Sequence, residues 1–223
     1  MVAPAALGRD PDHDASRTPG MKPRVVRASS GAVYGQPDRF PITEDFPLKP
    51  ISPYGTSKLC AENVASMFHQ VYGIPTVIAR IFNAYGPRVP RYIFYDFLKK
   101  LERDPTRLEI LGDGKQQRAF TYVTDTVAGL VLLAEKGVPG EGYNVSSGQN
   151  HSVTELATIL IEVLGLSDVE LTFTGSSWAG DAQYWKVDVG KLRALGFDGR
   201  TDLRQGLEET VRWFRFCGAT SER

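Results

Sequence analysis

Ser52-Pro-Tyr-Gly-Thr-Ser-Lys58 decides the fold through what stands on either side of it. Ser52 is a helix N-cap residue and Pro53 suits the first helical position. The helix they open is predicted to run to about Tyr72. Leu59, Val64, Met67, Phe68 and Val71 recur at helical spacing, and Gly73 stops it. Before it, Arg24-Val-Val-Arg-Ala-Ser-Ser30 is a short β-type run ending in two serines and Gly31, followed by a Pro-rich loop from Gly35 to Ile51. After it, Pro75-Thr-Val-Ile-Ala-Arg-Ile-Phe82 is rich in β-branched residues and reads as a buried strand. Strand, helix and strand in that order make a βαβ unit with parallel strands.

Alternating elements continue outward. A helix is predicted from Tyr92 to Leu101, and short strands at Leu108 to Leu111 and Ala119 to Val123 flank a Gly-Asp-Gly turn. Thr124 or Asp125 caps a helix through Glu135, and Tyr143 to Val145 is a strand. Ser152-Val-Thr-Glu155 is a capping box whose helix ends at Gly165. Val169 to Phe173 is a strand, and Thr201 to Phe216 is a closing helix. Residues 1–22 hold Pro, Gly, Asp and Arg without periodicity and are expected to be a disordered tail.

The 223 residues carry 26 basic and 26 acidic side chains, which argues against a nucleic-acid partner held by bulk charge. Cys60 and Cys217 have neither a disulfide framework nor metal-ligand spacing, so a reducing cytoplasm is expected and no metal. No apolar run approaches the roughly 18 residues of a membrane span, so no membrane partner is expected.

Tyr54 and Lys58 stand at i and i+4, on one helix face. A tyrosine hydroxyl titrates near 10 in water, and a neighbouring ammonium favours the phenolate, so such a pair is suited to taking a proton. Lys58 is also placed to hold a cofactor ribose, and Ser29 or Ser30 to share a proton with a substrate hydroxyl. Spacing alone is weak evidence. With nine Tyr and nine Lys, chance supplies about 0.4 such pairs, and Tyr95 and Lys99 form a second one. Context separates them: only the first pair opens the helix of the βαβ unit.

Ala28-Ser-Ser-Gly-Ala-Val-Tyr-Gly35, Ser52 to Lys58, and Arg80-Ile-Phe-Asn-Ala-Tyr-Gly-Pro-Arg88 resemble the extended short-chain dehydrogenase/reductase superfamily, in its NAD-dependent nucleotide-sugar epimerase and dehydratase branch. Gly112-Asp-Gly-Lys-Gln-Gln-Arg-Ala-Phe-Thr-Tyr-Val-Thr-Asp125, Tyr143-Asn-Val-Ser-Ser-Gly148, and Gly180-Asp181 with Asp188-Val-Gly-Lys-Leu192 agree. The resemblance runs from about Arg24 to Phe216. It implies a partial Rossmann-like, doubly wound parallel sheet lacking its first strands, with a smaller C-terminal α/β substrate-binding part. Residues 23–86 and 120–147 would be the remaining NAD-binding part and 87–119 and 148–217 the substrate-binding part, with 218–223 as a tail.

The resemblance also implies roles. Tyr54 would be the general base and acid, Lys58 would bind the nicotinamide ribose, and Ser30 would bond the substrate hydroxyl. Ser29, Ile81 and Phe82 would lie by the cofactor; Asn83, Arg88 and Arg118 would hold the nucleotide diphosphate. Asp181 belongs to the same substrate set. Trp178 stands where many members have an arginine, and would stack on a base or sugar or simply pack. The reaction would be NAD-dependent epimerisation of a nucleotide sugar, with Tyr54 exchanging the proton. Dehydratases of the family carry Asp-Glu where Gly31 and Ala32 stand, which favours the epimerase; a reductase or dehydratase is the alternative.

The family opens on a strand and a Gly-rich turn that cradles the cofactor pyrophosphate. None of the 22 glycines falls in G-x-x-G-x-x-G or G-x-G-x-x-G spacing, and one strand precedes Tyr54 where the family has several. The strand at Val25 is therefore expected at a bare sheet edge. A non-catalytic remnant, or a partner supplying the N-terminal half, is the corresponding expectation. Members commonly dimerise through the helix that starts at Ser52, where Leu59, Asn63 and Met67 are spaced to face a second copy or the core.

Overall fold

A computed structural model describes residues 23–175 and 185–221, residues 217–221 by backbone alone. The expected tail at 1–22, Trp178, Asp181 and the side chain of Cys217 lie outside the described residues.

The centre is β2, Thr76–Ile81, buried along all but its last residue. It pairs in parallel with β1, Val25–Ser30, and on its other side with β7, Gly142–Val145. Ser29 stands opposite Arg80 and Val145 opposite Ile81. The crossover from β1 to β2 is α1, Pro53–Tyr72, whose N-cap Ser52 Oγ accepts from Gly55 N at 3.1 Å. Gly73 ends it in the left-handed region at φ 63°, where a β-carbon is costly. The helix leading into β7 is α3, Val123–Lys136.

Alternate β2 residues serve opposite faces. Val77 and Ala79 join Leu133 of α3 with Tyr143, Val145, Leu192 and Phe197 in one apolar cluster. Arg80 points the other way, to Glu62 of α1. The sheet is therefore a layer between α1 and α3. Among the described residues β1 is its terminal strand, paired on one side only.

A second cluster is built from α2 (Tyr92–Arg103), β4 (Arg107–Ile110), α4 (Val153–Leu164) and α6 (Leu203–Ser221). Phe97, Leu101, Leu108, Ile110, Leu156 and Leu207 are at its heart. Its strand partner for β4 is β9, Glu170–Phe173, in parallel register. Four short strands connect the two clusters: β3 (Ala84–Tyr85) pairs with β6 (Thr121–Tyr122), and β5 (Gln117–Arg118) pairs antiparallel with β8 (His151–Ser152). The capping box forms, with Glu155 N donating to Ser152 Oγ at 3.0 Å and Ser152 N to Glu155 Oε2 at 2.7 Å.

One expectation needs correction. The helix α3 begins at Val123, with Tyr122 as an N-cap that makes no side-chain bond, rather than at a Thr124 or Asp125 cap. Asp125 is buried in the first turn and accepts from Thr201 N at 3.0 Å, so a tertiary partner takes the carboxylate a cap would use. The apolar stripe of α1, left open between a second copy and the core, faces outward beyond Leu59, which packs on the Val33 and Phe82 cluster. Val64, Met67, Phe68 and Val71 are about half exposed or more, and only Gly55 and Glu62 of the helix are buried. The 3-10 turn at Gly31–Tyr34 and the short α5, Gly190–Ala194, are additions.

Candidate active site

β1 ends at Ser30, whose Oγ accepts from Ala32 N at 3.2 Å and caps the 3-10 turn. Two glycines then let the elements close on one another. A β-carbon on Gly31 would come 2.3 Å from the Phe82 ring, and one on Gly55 would come 2.6 Å from the Ala32 carbonyl oxygen. The first turn of α1 thus lies directly on the turn that follows Ser30. This contact carries Tyr54 and Lys58 to the Ser30 corner.

Tyr54 is 56% exposed, and the Lys58 ammonium lies 5.6 Å from its ring centroid. Both line a cavity of about 930 Å³. Ser29, Ser30, Ile81, Asn83 and Arg118 line the same cavity. Asn83 Nδ2 reaches the Ala119 carbonyl at 3.5 Å, and Arg118 Nη1 donates to the Gln117 carbonyl at 3.1 Å. The second Tyr/Lys pair is engaged elsewhere: exposed Lys99 bonds Glu102 at 2.8 Å and lies over the Phe214 ring.

Two expected contact residues are placed differently. Phe82 is fully buried and is not a lining residue. Its ring stacks on Tyr34 at 6.2 Å and meets Trp185 edge-on at 5.3 Å, so it backs the cavity wall. Arg88 is exposed, adopts φ 68°, and does not line the cavity, although Val89 and Arg91 beyond it do.

Beneath the cavity floor runs a buried polar chain. Ser29 Oγ donates to Glu62 Oε1 at 2.5 Å. Arg80 grips the same carboxylate through Nε and Nη2 at 3.0–3.3 Å. Arg80 Nη1 donates to Tyr34 Oη at 2.8 Å, and Tyr34 donates on to Asn144 Oδ1 at 2.8 Å. Burial alone would pull the Arg80 guanidinium down, but the Glu62 bond and the charges around it hold it above its ordinary value. Burial pushes the Tyr34 hydroxyl up to about 12, so it stays a donor. The chain ties β1, α1 and β2 together at the level of the cavity.

Glu62, Gln116, Arg91 and Trp185 escaped the sequence reading. Glu62 had a signal, an acid two turns after Tyr54 on a helix that must face a sheet. Gln116 is 3% exposed and its Oε1 has no partner among the described residues, while Nε2 donates to the Leu111 carbonyl at 3.0 Å. Nothing in the sequence marks Trp185. Among the described residues no group of three or more His, Cys, Asp or Glu is placed to hold a metal, and no helix is long and apolar enough to cross a membrane.

A crossover helix that delivers a tyrosine and a lysine to the end of a parallel strand is the arrangement of the short-chain dehydrogenase/reductase class. The family model for GDP-mannose 4,6 dehydratase matches residues 13–209, and the chain belongs to that family of NAD-dependent nucleotide-sugar epimerases and dehydratases. It is 34% identical over 194 residues to a dTDP-glucose 4,6-dehydratase from an Actinoplanes strain, covering 86% of this chain and 60% of that protein. UDP-glucuronic acid 4-epimerase from Bacillus cereus, solved with UDP-glucuronic acid and NAD, superposes with a TM-score of 0.79 at 31% identity, over 86% of this chain and 61% of that one. UDP-N-acetylglucosamine 4-epimerase from Methanobrevibacter ruminantium, solved with UDP-N-acetylmuramic acid, gives 0.80 at 30% identity, over 87% and 64%. The chain thus spans 60–64% of the length of these relatives.

The residues present fit one end of NAD. Lys58 offers an N–H donor at the Tyr54 corner, where Ser29 and Ile81 also line the cavity, as a nicotinamide ribose requires. No Gly-rich turn in the sequence matches the pyrophosphate end.

Proposed function

We propose that the described residues form the sugar-binding and proton-transfer part of an NAD-dependent nucleotide-sugar epimerase. The observation that carries this reading is the convergence of Tyr54, Lys58, Ser30, Asn83 and Arg118 on one cavity. NAD, when bound, supplies hydride acceptance and return. The deprotonated Tyr54 oxygen takes the proton of a sugar hydroxyl, becoming the hydroxyl, and gives it back when hydride returns, with Ser30 bonding the same sugar oxygen. Lys58 holds the ribose with its ammonium donors. Asn83 and Arg118 grip the diphosphate, and Arg91 at the same wall adds a second guanidinium. Residues 23–86 and 120–147 serve the cofactor side, and 87–119 and 148–217 the substrate side.

Epimerisation is favoured over dehydration by the ground around Gly31. The Phe82 ring occupies the place of any side chain there, and Ala32, which lines the cavity, brings no acid. The acid/base pair that elimination of water needs is therefore not offered from this turn. The one-sided β1 edge favours a further reading, that parallel strands from an N-terminal half complete the sheet and the cofactor site.

Calorimetric titration of the purified protein with UDP-glucose, dTDP-glucose and NAD tests both readings. Binding of a sugar nucleotide with NAD weaker than micromolar is expected. Failure of every sugar nucleotide to bind would overturn the substrate assignment, and tight NAD binding the incomplete cofactor site. With NAD in excess, Tyr54→Phe is expected to cut turnover about 10²- to 10⁴-fold and leave sugar-nucleotide affinity unchanged. A 4-keto-6-deoxy product in place of an epimer would convert the assignment to dehydratase.

A further inference from the structure

Among the described residues β1 has one neighbour, β2, and its other side is a defined hydrogen-bonding edge. Val25 N donates to the Pro75 carbonyl at 2.8 Å, so Val25, Arg27 and Ser29 direct their backbone groups at β2. Val26, Ala28 and Ser30 therefore direct their N–H and C=O groups outward. Proline and bulges are two devices that blunt natural edges, and β1 has neither: it pairs with β2 residue for residue.

On the α3 side of this edge the packing is unfinished. Val26 and Leu130 are only partly buried against the Leu133 cluster, and Ala28 is exposed. Val127 is 52% and Val131 50% exposed, and Ala134 continues the stripe at helical spacing. By contrast β2, with a strand on either side, is buried at every residue but the last.

β1 and β2 both end at the cavity, at Ser30 and Ile81. A second copy set edge to edge by a two-fold axis would run its β1 antiparallel and bring its Arg24 end to the cavity mouth. A parallel strand would instead end there, as β1 and β2 do. The relatives also carry length that this chain does not match.

We propose that the outward edge of β1 and the Val127 and Val131 stripe of α3 form one docking surface for an α/β segment. The segment adds a parallel strand at Val26, Ala28 and Ser30 and lays the apolar side of a helix on α3. This rests on the reading above that parallel strands complete the sheet, and adds the bonding residues and the α3 face.

The probe is the stretch of the Bacillus cereus UDP-glucuronic acid 4-epimerase that precedes the strand superposing on β1, supplied as a separate polypeptide. Calorimetry reads its affinity, and hydrogen exchange by NMR reads its place. In the chain alone the Arg27 and Ser29 amides are expected to be protected and those of Val26 and Ala28 to exchange freely; with the probe all four are protected. Ala28→Pro removes an N–H that β2 does not use, so the melting temperature is expected to hold within a few degrees while probe binding weakens about tenfold or more. Val127→Glu with Val131→Lys places charges under the docked helix and is expected to weaken binding to the same degree. Protection of Val26 and Ala28 in the chain alone, or no binding of the probe, overturns both the docking surface and the sheet reading. Binding that Ala28→Pro leaves unchanged overturns the strand contact. Binding that the α3 variant leaves unchanged overturns the helix contact and leaves the sheet reading standing.

Discussion

Replacing Glu62 by alanine withdraws the central acceptor of the chain beneath the cavity. Its side chain is 4% exposed, and that of Arg80 is 9% exposed. In the variant the Arg80 guanidinium keeps only the Tyr34 hydroxyl at 2.8 Å and the Glu44 carbonyl at 3.2 Å. Neither carries a compensating charge, and Ser29 loses its acceptor as well. Breaking a buried pair on one side costs about 3–5 kcal/mol, because a desolvated charge remains. For a chain of this size that is a fall of roughly 6–20 °C in melting temperature. Urea unfolding followed by tryptophan fluorescence reads it directly, with the midpoint shifting at constant slope. Glu62→Leu combined with Arg80→Met removes both charges and is expected to recover much of the loss. A single-variant cost below about 1 kcal/mol, or a double variant as unstable as the two losses added, would refute the reasoning.

Two further expectations concern the flanks of the site. Burial raises the Glu44 carboxyl above its ordinary range, partly offset by its bond from Asn144 N at 2.8 Å. The native state therefore holds that proton more tightly than the unfolded chain, and the contribution fades as pH rises through the raised value. Glu44→Gln keeps an acceptor for Asn144 N without the charge. It is expected to be more stable than wild type near neutral pH, with the gap closing below the ordinary carboxylate range; a gap that widens in acid would contradict this. On α1, Phe68→Glu with Val71→Lys breaks the exposed apolar stripe. Light scattering is expected to show concentration-dependent association of the wild-type protein and a lower mass for the variant, and equal masses would rule the stripe out as the contact.

Local signals with one physical cause were legible. Ser52, Pro53 and Gly73 set the bounds of α1, and Ser152 with Glu155 opened α4, because caps act through their own backbone neighbours. The run from Thr76 to Ile81 read as a buried strand because β-branched residues fill it. Asp125 misled because a carboxylate near a helix start looks like a cap until a distant N–H, that of Thr201, claims it. Whether the α1 stripe faced a second copy or the core stayed open, because periodicity marks an apolar face and says nothing about what covers it.

The site divides the same way. Tyr54 and Lys58 share a face through helix geometry alone, so the local pattern of the chain set the pair and the βαβ unit. Their meeting with Ser30 needed Gly31 and Gly55 to admit Phe82 and the Ala32 carbonyl at close range. Arg80 and Glu62, eighteen residues apart, meet only because a parallel crossover returns the chain beside its own helix. Trp185 and Gln116 reach the cavity through pairings made far along the chain. Those contacts were left to the tertiary structure, since which side chains close a cavity depends on long-range register that no local pattern encodes.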